Sequence, residues 1–321
     1  MSEPPTSATP LPAGLSVVVP VYNSAGILPR LVARLGPVLA ATGLRHEVIL
    51  VNDGSRDRSW EVIEQLATAH PWLRGLCLMR NYGQHNALLA GVRAARFATT
   101  TTMDDDLQHP PEELPKLLAK FAEGWDVVYG PPEHEQHSLL RNASSVVTKL
   151  ALQGAMGAET ARMVSAVRVF HTGLRESFAA YHSPFVNLDV LLTWGTTRFG
   201  AVRLRRESRA QGQSNYTFGK LLGHTLNMLT GFSVLPLQLA SIIGFAFTLF
   251  GGGVLVYVLG RYFVTGNSVA GFPFLASIIA IFSGAQLFAL GMIGEYLARI
   301  HFRTMHKPAY TVQRAVGHPN A

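Results

Sequence analysis

The residues of this sequence best suited to chemistry are three consecutive aspartates, Asp104 to Asp106, with Gln108 two positions further on. In an extended segment side chains at i and i+2 point the same way, so Asp104 and Asp106 would face one ion while Asp105 turns aside. Carboxylate and amide oxygens suit Mg²⁺ or Mn²⁺, and such a cation would allow phosphate to approach an acidic cluster. The sequence therefore predicts a metal site at Asp104, Asp106 and Gln108. The alternative is that the aspartates only precede a helix that begins near Pro110.

Apolar runs predict the elements that hold these residues. Leu15 to Val21 and Glu47 to Val51 are β-branched runs without alternation, typical of strands covered on both faces, and Ile27 to Ala41 between them has helical spacing. The pattern continues with a helix after Ser59, a strand near Leu76 to Met79, a helix from about His85 to Phe97 and a strand at Thr99 to Met103. This repetition predicts an α/β fold with a mostly parallel sheet, whose ligands lie beyond the carboxyl ends of the strands.

Polar loops follow three of these predicted strands. They are Pro20-Val21-Tyr22-Asn23, Asn52-Asp53-Gly54-Ser55 and Asp104 to Gln108. Neither a G-x-G-x-x-G turn nor a G-x-x-x-x-G-K-[ST] loop occurs in the sequence, so a dinucleotide site and a P-loop lose their main support. The Asp53 carboxylate can accept a hydrogen bond from a nucleobase N–H, or it can form an Asx turn with Gly54, and the two roles are compatible.

Composition divides the 321-residue chain into a charged part and an apolar part. With 48% apolar residues, 15% charged residues and one cysteine, it is neither a disordered chain nor a disulfide-built domain. Two uncharged stretches, Leu235 to Gly260 and about Gly271 to Gly294, exceed the roughly 20 residues that span a bilayer. They predict two transmembrane helices, the alternative being two buried helices of a large soluble protein. Basic residues flank both outer ends, which predicts cytoplasmic termini in a multi-pass protein of the plasma (inner) membrane.

These patterns together predict the order of domains. A disordered tail at 1–13 precedes the α/β domain at 14–214, an interfacial amphipathic segment at 215–234, the two transmembrane helices at 235–298 with a short loop near 261–270, and a cytoplasmic C-terminal tail at 299–321. The interfacial segment would lie in the plane of the lipid headgroups. The first residues contain no apolar core of a signal peptide. Cys77 is predicted to be a small buried hydrophobe, and no zinc spacing links His134, His137, His171 and His182.

Five motifs carry a resemblance to a known family. They are V-V-V-P-V-Y-N (Val17 to Asn23), V-N-D-G-S-R-D (Val51 to Asp57), R-N-Y-G-Q-H-N-A (Arg80 to Ala87), D-D-D-L-Q-H-P-P-E (Asp104 to Glu112) and R-A-Q-G-Q-S-N-Y-T (Arg209 to Thr217). On these motifs the sequence resembles glycosyltransferase family 2, whose Rossmann-like core is called GT-A. With G-A-Q and G-E-Y-L-A-R-I at Gly284 to Ile300, it is similar to the polyprenyl-phosphate branch, which includes dolichol-phosphate mannose synthases and bacterial undecaprenyl-phosphate glucosyl and formamido-arabinosyl transferases.

The resemblance implies a membrane-anchored, inverting and metal-dependent glycosyltransferase whose α/β domain is a GT-A catalytic domain. It would move a sugar from a nucleotide diphosphate sugar, with uridine as the expected base, to a polyprenyl phosphate for cell-envelope glycan synthesis or modification. Catalysis would rest on Asp104, Asp106 and Arg209. The residues implied to bind the nucleotide sugar are Pro20, Tyr22, Asn23, Asp53, Gly54, Arg80, Asn81 and Asp105. The residues implied to bind the acceptor phosphate are Arg141, Ser145, Arg168, Arg209 and Ser214.

Several of these roles have structural alternatives. Arg80 can be a solvated residue after a strand, and Arg141 and Arg168 can be surface charges that touch lipid headgroups. Asp189 either orients a sugar hydroxyl or caps a helix. The chain departs from residues common in relatives at Pro132, Glu135, Arg162 and Asn215. The sugar, the nucleotide and the exact lipid therefore stay open.

Partners and rival functions follow from the same comparison. A homo-oligomer is expected by resemblance, and no nucleic-acid partner is predicted. A polysaccharide synthase is one rival, but the sequence lacks the Q-x-x-R-W box and the additional spans that such a synthase needs. A non-catalytic membrane subunit that binds nucleotide sugar is the other.

Overall fold

The computed structural model describes residues 11–133, 156–207, 235–265, 271–305 and 307–317. The strands are β1 (Leu15–Val21), β2 (His46–Asn52), β3 (Leu73–Leu78), β4 (Thr99–Thr102), β5 (Val127–Tyr129), β6 (Arg168–His171), β7 (Phe199–Ala201) and β8 (Val312–Val316). The α-helices are α1 (Leu28–Ala41), α2 (Ser59–Ala69), α3 (Gln84–Ala94), α4 (Leu114–Phe121), α5 (Ala158–Met163), α6 (Leu188–Leu192), α7 (Leu235–Thr265) and α8 (Phe272–Thr304).

All eight strands belong to one mixed sheet, in the order β7-β5-β6-β4-β1-β2-β3-β8. Its centre is parallel, because β1 pairs with β2 and β4, and β2 pairs with β3. The pairs β4–β6, β5–β6 and β3–β8 are antiparallel, whereas β5–β7 is parallel. The predicted mostly parallel sheet with crossover helices is confirmed, and its parallel centre aligns the carboxyl ends of β1 to β4.

Each face of the sheet carries its own hydrophobic core. Val17 and Val19 of β1 face α1 and α2, whereas Val18 faces α3 and α6 on the other side. Successive side chains of a strand point to opposite faces, so a strand covered on both sides must be apolar at every position. This requirement explains the continuous apolar runs of β1 and β2. The same requirement sets the ends of these strands, because the first polar residues mark the start of the loops.

The chain returns to the sheet after the long helices. β8 pairs antiparallel with β3, and the amide of Met79 donates to the carbonyl of Thr311 at 2.9 Å. The buried Asn86 side chain donates to the carbonyls of Pro184 and Ala309, at 3.1 and 2.6 Å. The segment 299–321 was predicted to be a C-terminal tail, but it contains the strand β8. The last described residues are therefore tied to the sheet beside the loop that follows β3.

Helices α7 and α8 contain 31 and 33 residues. They contact one another, with the rings of Phe247 and Phe282 centred 5.8 Å apart. Among the described residues, one stretch, Ile281–Ala298, is long and apolar enough to cross a membrane on length and composition. The apolar stretch in α7, Ala240–Val254, is shorter. One candidate membrane span is thus established, and the second predicted crossing stays a prediction.

A buried charged cluster joins the amino ends of the central strands, at the edge of the sheet opposite the polar loops. The Glu47 carboxylate accepts from Arg74 at 2.6 Å, from the Ser16 hydroxyl at 2.7 Å and from the Arg96 amide at 2.8 Å. The side chains of Glu47 and Arg74 are 0% and 2% exposed. Burial would raise the pKa of Glu47, but these hydrogen bonds outweigh burial and hold the pKa below its ordinary value.

We expect Glu47→Gln to lower the free energy of unfolding by about 3–5 kcal/mol, because Arg74 would stay buried without its counter-charge. The stabilisation by Glu47 is complete above its ordinary pKa of 4.5 and is lost as the pH falls through the lower pKa of the folded state. Urea unfolding at several pH values measures both effects. Glu176→Gln is the control, since that carboxylate is 58% exposed. Equal acid sensitivity of wild type and Glu47→Gln would contradict the assignment.

Candidate active site

A pocket of about 310 Å³ lies at the carboxyl ends of β1 to β4. Its wall contains Pro20, Val21, Tyr22, Asp53, Asn81, Gly83, Gln84, Asp104, Asp105 and Asp106. Pro20 and Val21 end β1, Gln84 begins α3, and the other residues come from the four loops that follow β1 to β4. The structure thus brings together seven of the predicted site residues: Pro20, Tyr22, Asp53, Asn81, Asp104, Asp105 and Asp106.

The loop after β1 is tied to the loop after β2. Asn23 has a positive φ of 54°, and its amide donates to the Ser55 hydroxyl at 3.0 Å. The Asn23 side-chain oxygen accepts from the amide of Arg56 at 2.8 Å. Asn23 is therefore not part of the pocket wall described above but holds its neighbour Tyr22 at the rim, where Tyr22 is 43% exposed.

Asp53 joins the loop after β2 to the loop after β3. Its two carboxylate oxygens accept from the amides of Tyr82 and Gly83, at 2.7 and 2.8 Å. Burial raises the pKa of Asp53, and these two hydrogen bonds and the nearby charge of Arg80 oppose the rise. The turn that sequence reasoning considered for Asp53 is made by Asn52, whose side-chain oxygen accepts from the Ser55 amide at 3.3 Å. The predicted contact of Asp53 with a nucleobase stays a prediction.

The predicted residues Arg80 and Gly54 are not among the residues that line the pocket. The exposed Arg80 guanidinium stacks over the Tyr82 ring, 4.5 Å from its centroid. Gly54 has a φ of 62°, and a Cβ added there would lie 2.4 Å from the carbonyl carbon of Arg80 and from the amide nitrogen of Asn81. Only glycine allows this close approach of two backbones.

We expect Gly54→Ala to weaken binding of a nucleoside diphosphate at least tenfold, because the new methyl group must displace the backbone that carries Asn81. Gly43→Ala is the matched control: Gly43 has a similar φ of 67°, but nothing lies within 4 Å of its added Cβ. Both variants share the strain of a left-handed residue, and only Gly54→Ala carries the clash. Isothermal calorimetry measures the affinity. Equal affinities of the two variants would show that this contact does not shape the pocket.

The segment Asp104 to Asp106 is not extended, contrary to the sequence analysis. The chain turns at Asp105 and Asp106, and Leu107 has a positive φ of 58°. The extended geometry from which Asp105 was expected to turn aside is therefore wrong, and all three residues line the same pocket. Burial raises the pKa of Asp105 to about 6, a hydrogen bond with Ser24 opposes the rise, and the charge of Asp106 adds to it.

Two glutamine side chains hold the flanking carboxylates. Gln84 Nε2 donates to Asp104 Oδ1 at 2.7 Å, and Gln108 Nε2 donates to Asp106 Oδ2 at 2.7 Å. The Gln108 oxygen accepts from Arg206 Nε at 2.9 Å. In this arrangement Gln108 offers its amide N–H to Asp106 and its oxygen to Arg206. Its predicted coordination of a metal stays a prediction.

The carboxylates suit a hard divalent cation. Within the described ranges no group of three or more His, Cys, Asp and Glu side chains is arranged to hold a metal ion by itself. Asp104 and Asp106 nevertheless line one pocket beside the half-buried Asp105, so their carboxylate oxygens are available to an ion there. Mg²⁺ and Mn²⁺ are commonly held by one or two carboxylates together with phosphate oxygens and water. The donor set fits such an ion when a phosphate ligand shares it.

Arg168 and Asp189 form a buried ion pair. The Arg168 side chain is 3% exposed, and its guanidinium donates to the Asp189 carboxylate, which also accepts from the Tyr129 hydroxyl at 3.0 Å. Helix α6 is capped by Asn187, whose side chain accepts from the Val190 amide, and not by Asp189. A contact of Arg168 with an acceptor phosphate would require this ion pair to be shared or broken. That role stays a prediction.

The predicted residues Arg141, Ser145, Arg209 and Ser214 lie outside the described residues, as do the interfacial segment and the variations at Glu135 and Asn215. The segment that leads towards Arg209 is nevertheless anchored at the site. The Glu207 amide donates to the Gln108 carbonyl at 2.8 Å. The chain is therefore held beside the loop after β4 as far as Glu207, the last residue described before Arg209.

Gln84 and Gly83 are pocket residues that sequence reasoning missed as site residues. Both belong to the R-N-Y-G-Q-H-N-A motif, and both follow the end of β3. The position after a parallel strand was the signal available for them. Gln84 carries no charge, and only the structure shows that its side-chain amide donates to the Asp104 carboxylate.

Comparison with known proteins identifies the family of this chain. The family described as Glycosyl transferase family 2 matches residues 16–179. A protein of Shewanella sediminis named undecaprenyl-phosphate 4-deoxy-4-formamido-L-arabinose transferase is 34% identical over 303 residues, covering 93% of this chain and 91% of that relative. A protein of the same name from Klebsiella pneumoniae is 32% identical, covering 95% of this chain and 94% of that relative.

Among solved structures, the fold is similar to glucosyl-3-phosphoglycerate synthase from Mycobacterium tuberculosis in complex with Mn²⁺ and uridine-diphosphate-glucose. The TM-score is 0.51 at 18% identity, covering 68% of this chain and 77% of that chain. The complex of the same synthase with Mn²⁺, uridine diphosphate and phosphoglyceric acid gives a TM-score of 0.51 at 17% identity, covering 68% and 76%. These likenesses support the fold.

Proposed function

Because the chain belongs to glycosyl transferase family 2, we propose that it transfers a sugar from a nucleotide diphosphate sugar to a polyprenyl phosphate. The observation that carries the proposal is one pocket that is lined by Asp104 and Asp106 together with Tyr22 and Asn81. The names of the relatives make undecaprenyl phosphate the first acceptor to test. Uridine is the expected base, and the sugar is open.

The donor site is assigned to the loops after β1 to β3. Pro20, Tyr22 and Asp53 hold the base and ribose, and Asn81 lies beside the diphosphate. Asp104 and Asp106 hold Mg²⁺ or Mn²⁺, while Gln84 and Gln108 keep their carboxylates in place through hydrogen bonds of 2.7 Å. When bound, the divalent ion neutralises the charge of the departing nucleotide diphosphate.

The reaction is a single displacement. A lone pair on an acceptor phosphate oxygen forms the bond to the anomeric carbon as the bond from that carbon to the diphosphate oxygen breaks. The electron pair leaves with the nucleotide diphosphate, and the configuration inverts. Since the second pKa of a phosphate monoester is about 6, the acceptor is largely dianionic at neutral pH and needs no strong general base. The protein's task is to align the two anions and to neutralise their charge.

The membrane arrangement is part of the proposal. We assign α7 and α8 to two crossings that leave the catalytic domain and both termini in the cytoplasm, in line with the basic flanks. The return of the chain to β3 supports this arrangement, because it ties the end of α8 to the same domain that precedes α7. The proposed homo-oligomer rests on resemblance alone.

Direct assay tests the function. Purified protein with Mn²⁺, a short polyprenyl phosphate and one nucleotide sugar at a time is expected to give a lipid-linked monosaccharide, read by its mass, and free nucleotide diphosphate. Omission of the lipid phosphate or of the metal should prevent both products. Tight binding of a nucleotide sugar without transfer to any polyprenyl phosphate would favour the non-catalytic subunit instead.

A further inference from the structure

We propose that Arg206 binds a phosphate group at the Asp106 side of this pocket. The inference rests on the proposed function and adds to it a residue that follows from the contacts of the described chain. Arg206 donates through Nε and Nη2 to the Gln108 side-chain oxygen, and Gln108 Nε2 donates to Asp106 Oδ2. A guanidinium, an amide and a carboxylate thus form a continuous chain of hydrogen bonds.

Chemistry fixes the direction of this chain. A guanidinium only donates and an ionised carboxylate only accepts, so the amide must turn its oxygen to Arg206 and its N–H to Asp106. The positive group is thereby set one side chain away from a carboxylate assigned to the divalent ion. A phosphate at the pocket would meet the ion on one side and the guanidinium on the other.

The backbone around Arg206 is fixed on both sides. Leu204 is 1% exposed and pairs with Pro132. The Arg205 amide donates to Glu113 Oε2 at 3.2 Å, and the Glu207 amide donates to the Gln108 carbonyl at 2.8 Å. Arg206 is therefore held beside the loop after β4 by its neighbours and is not a freely moving surface charge.

The neighbouring carboxylate of Glu207 forms ion pairs with arginines other than Arg206. The Glu207 carboxylate pairs with Arg34 at 3.2 Å and with Arg205 at 3.4 Å. Gln108 is neutral, so the contacts of Arg206 given by the structure leave its charge without a paired carboxylate. Arg206 is exposed, and Nη1 has no described contact. A guanidinium with free N–H groups in a fork binds phosphate oxygens in pairs.

Two phosphates of the reaction share this chemistry, the diphosphate of the donor and the phosphate of the acceptor lipid. We assign Arg206 to the acceptor phosphate, because its hydrogen bonds reach the pocket through Gln108 and Asp106, whereas Tyr22, Asp53 and Asn81 are assigned to the nucleotide. Binding measurements distinguish the donor diphosphate from the acceptor lipid phosphate. The probes are uridine diphosphate with Mn²⁺ and, in a second titration, a short polyprenyl phosphate, each titrated into full-length protein in lipid nanodiscs.

We expect Arg206→Ala to weaken binding of the polyprenyl phosphate at least tenfold and to leave the affinity for uridine diphosphate within twofold of wild type. Arg206→Lys should recover only part of the loss, since it keeps the charge but not the fork. Arg205→Ala is the matched control, because the Arg205 side chain is 61% exposed and pairs with Glu207 rather than Gln108. A loss confined to uridine diphosphate would assign Arg206 to the donor phosphate.

Unchanged affinities for both probes in Arg206→Ala would overturn the proposal, and so would a loss that Arg205→Ala reproduces. The binding titrations do not depend on turnover. If the wild-type protein bound both probes but made no glycolipid, the proposed function would be wrong. The role of Arg206 would still be tested, because it is judged from the binding affinities of the variants.

Discussion

Asp106→Asn is expected to reduce sugar transfer at least about 1,000-fold while the protein stays folded. Asp106 shares the pocket wall with Asp104, and its Oδ2 is held by Gln108 at 2.7 Å. The amide is nearly isosteric but neutral, so it removes a charged oxygen ligand without opening a cavity. The loss should therefore appear in turnover and in the metal dependence of nucleotide diphosphate binding. Initial rates with a saturating polyprenyl phosphate measure the first effect, and calorimetry with and without Mn²⁺ measures the second.

The control for this variant is the same change at a carboxylate far from the pocket. Glu123 is 55% exposed and pairs with Lys120, so Glu123→Gln should leave transfer unchanged. Circular dichroism of both variants reports the fold. Normal turnover by a folded Asp106→Asn protein would contradict the assignment of this residue to the divalent ion.

Arg209→Ala is expected to raise the KM for polyprenyl phosphate about tenfold or more and to leave the affinity for uridine diphosphate unchanged. Glu207, two residues earlier in the sequence, donates through its amide to the Gln108 carbonyl at 2.8 Å. The Arg209 guanidinium would bind a phosphate held at the bilayer surface through paired hydrogen bonds. The loss should shrink at high ionic strength, since salt screens the attraction between exposed charges.

Arg203→Ala is the control for Arg209, because Arg203 is exposed and belongs to the same basic segment. It tests whether any lost positive charge near the membrane has the same effect. An unchanged KM for the acceptor in Arg209→Ala would count against its role. Equal losses in the two variants would indicate a general attraction to anionic lipid instead of a phosphate site.

The central strands were predictable because burial on both faces leaves a clear pattern. β1 has the bounds that its apolar run predicts, Leu15–Val21, and β2 extends the predicted strand by one residue at each end. The edge of the sheet was not predictable in this way. β8 is mostly exposed, with the residues Val-Gln-Arg-Ala-Val, and its partner β3 lies more than 200 residues away in the sequence. Such pairing depends on the path of α7 and α8.

The site was predictable as a set of strand ends but not in its detailed contacts. Position after a parallel strand correctly gathered Tyr22, Asp53 and Asp104. The turn at Asp105 and Asp106 was not predicted, because the positive φ of Leu107 leaves no mark in the sequence. The pairing of Arg168 with Asp189 likewise joins two separate elements. The spacing of apolar residues and the composition indicate which segments are buried and whether they are helices or strands. Contacts between side chains of separate elements form only when those elements pack together.

The most direct test of the proposed metal site is a structure of the full chain in a lipid bilayer with Mn²⁺ and uridine diphosphate. We expect anomalous density for one Mn²⁺ at about 2 Å from carboxylate oxygens of Asp104 and Asp106 and from the diphosphate, with the pocket mouth at the headgroup level. Nucleotide bound in this pocket with the ion elsewhere, or a pocket mouth far from the bilayer surface, would contradict it.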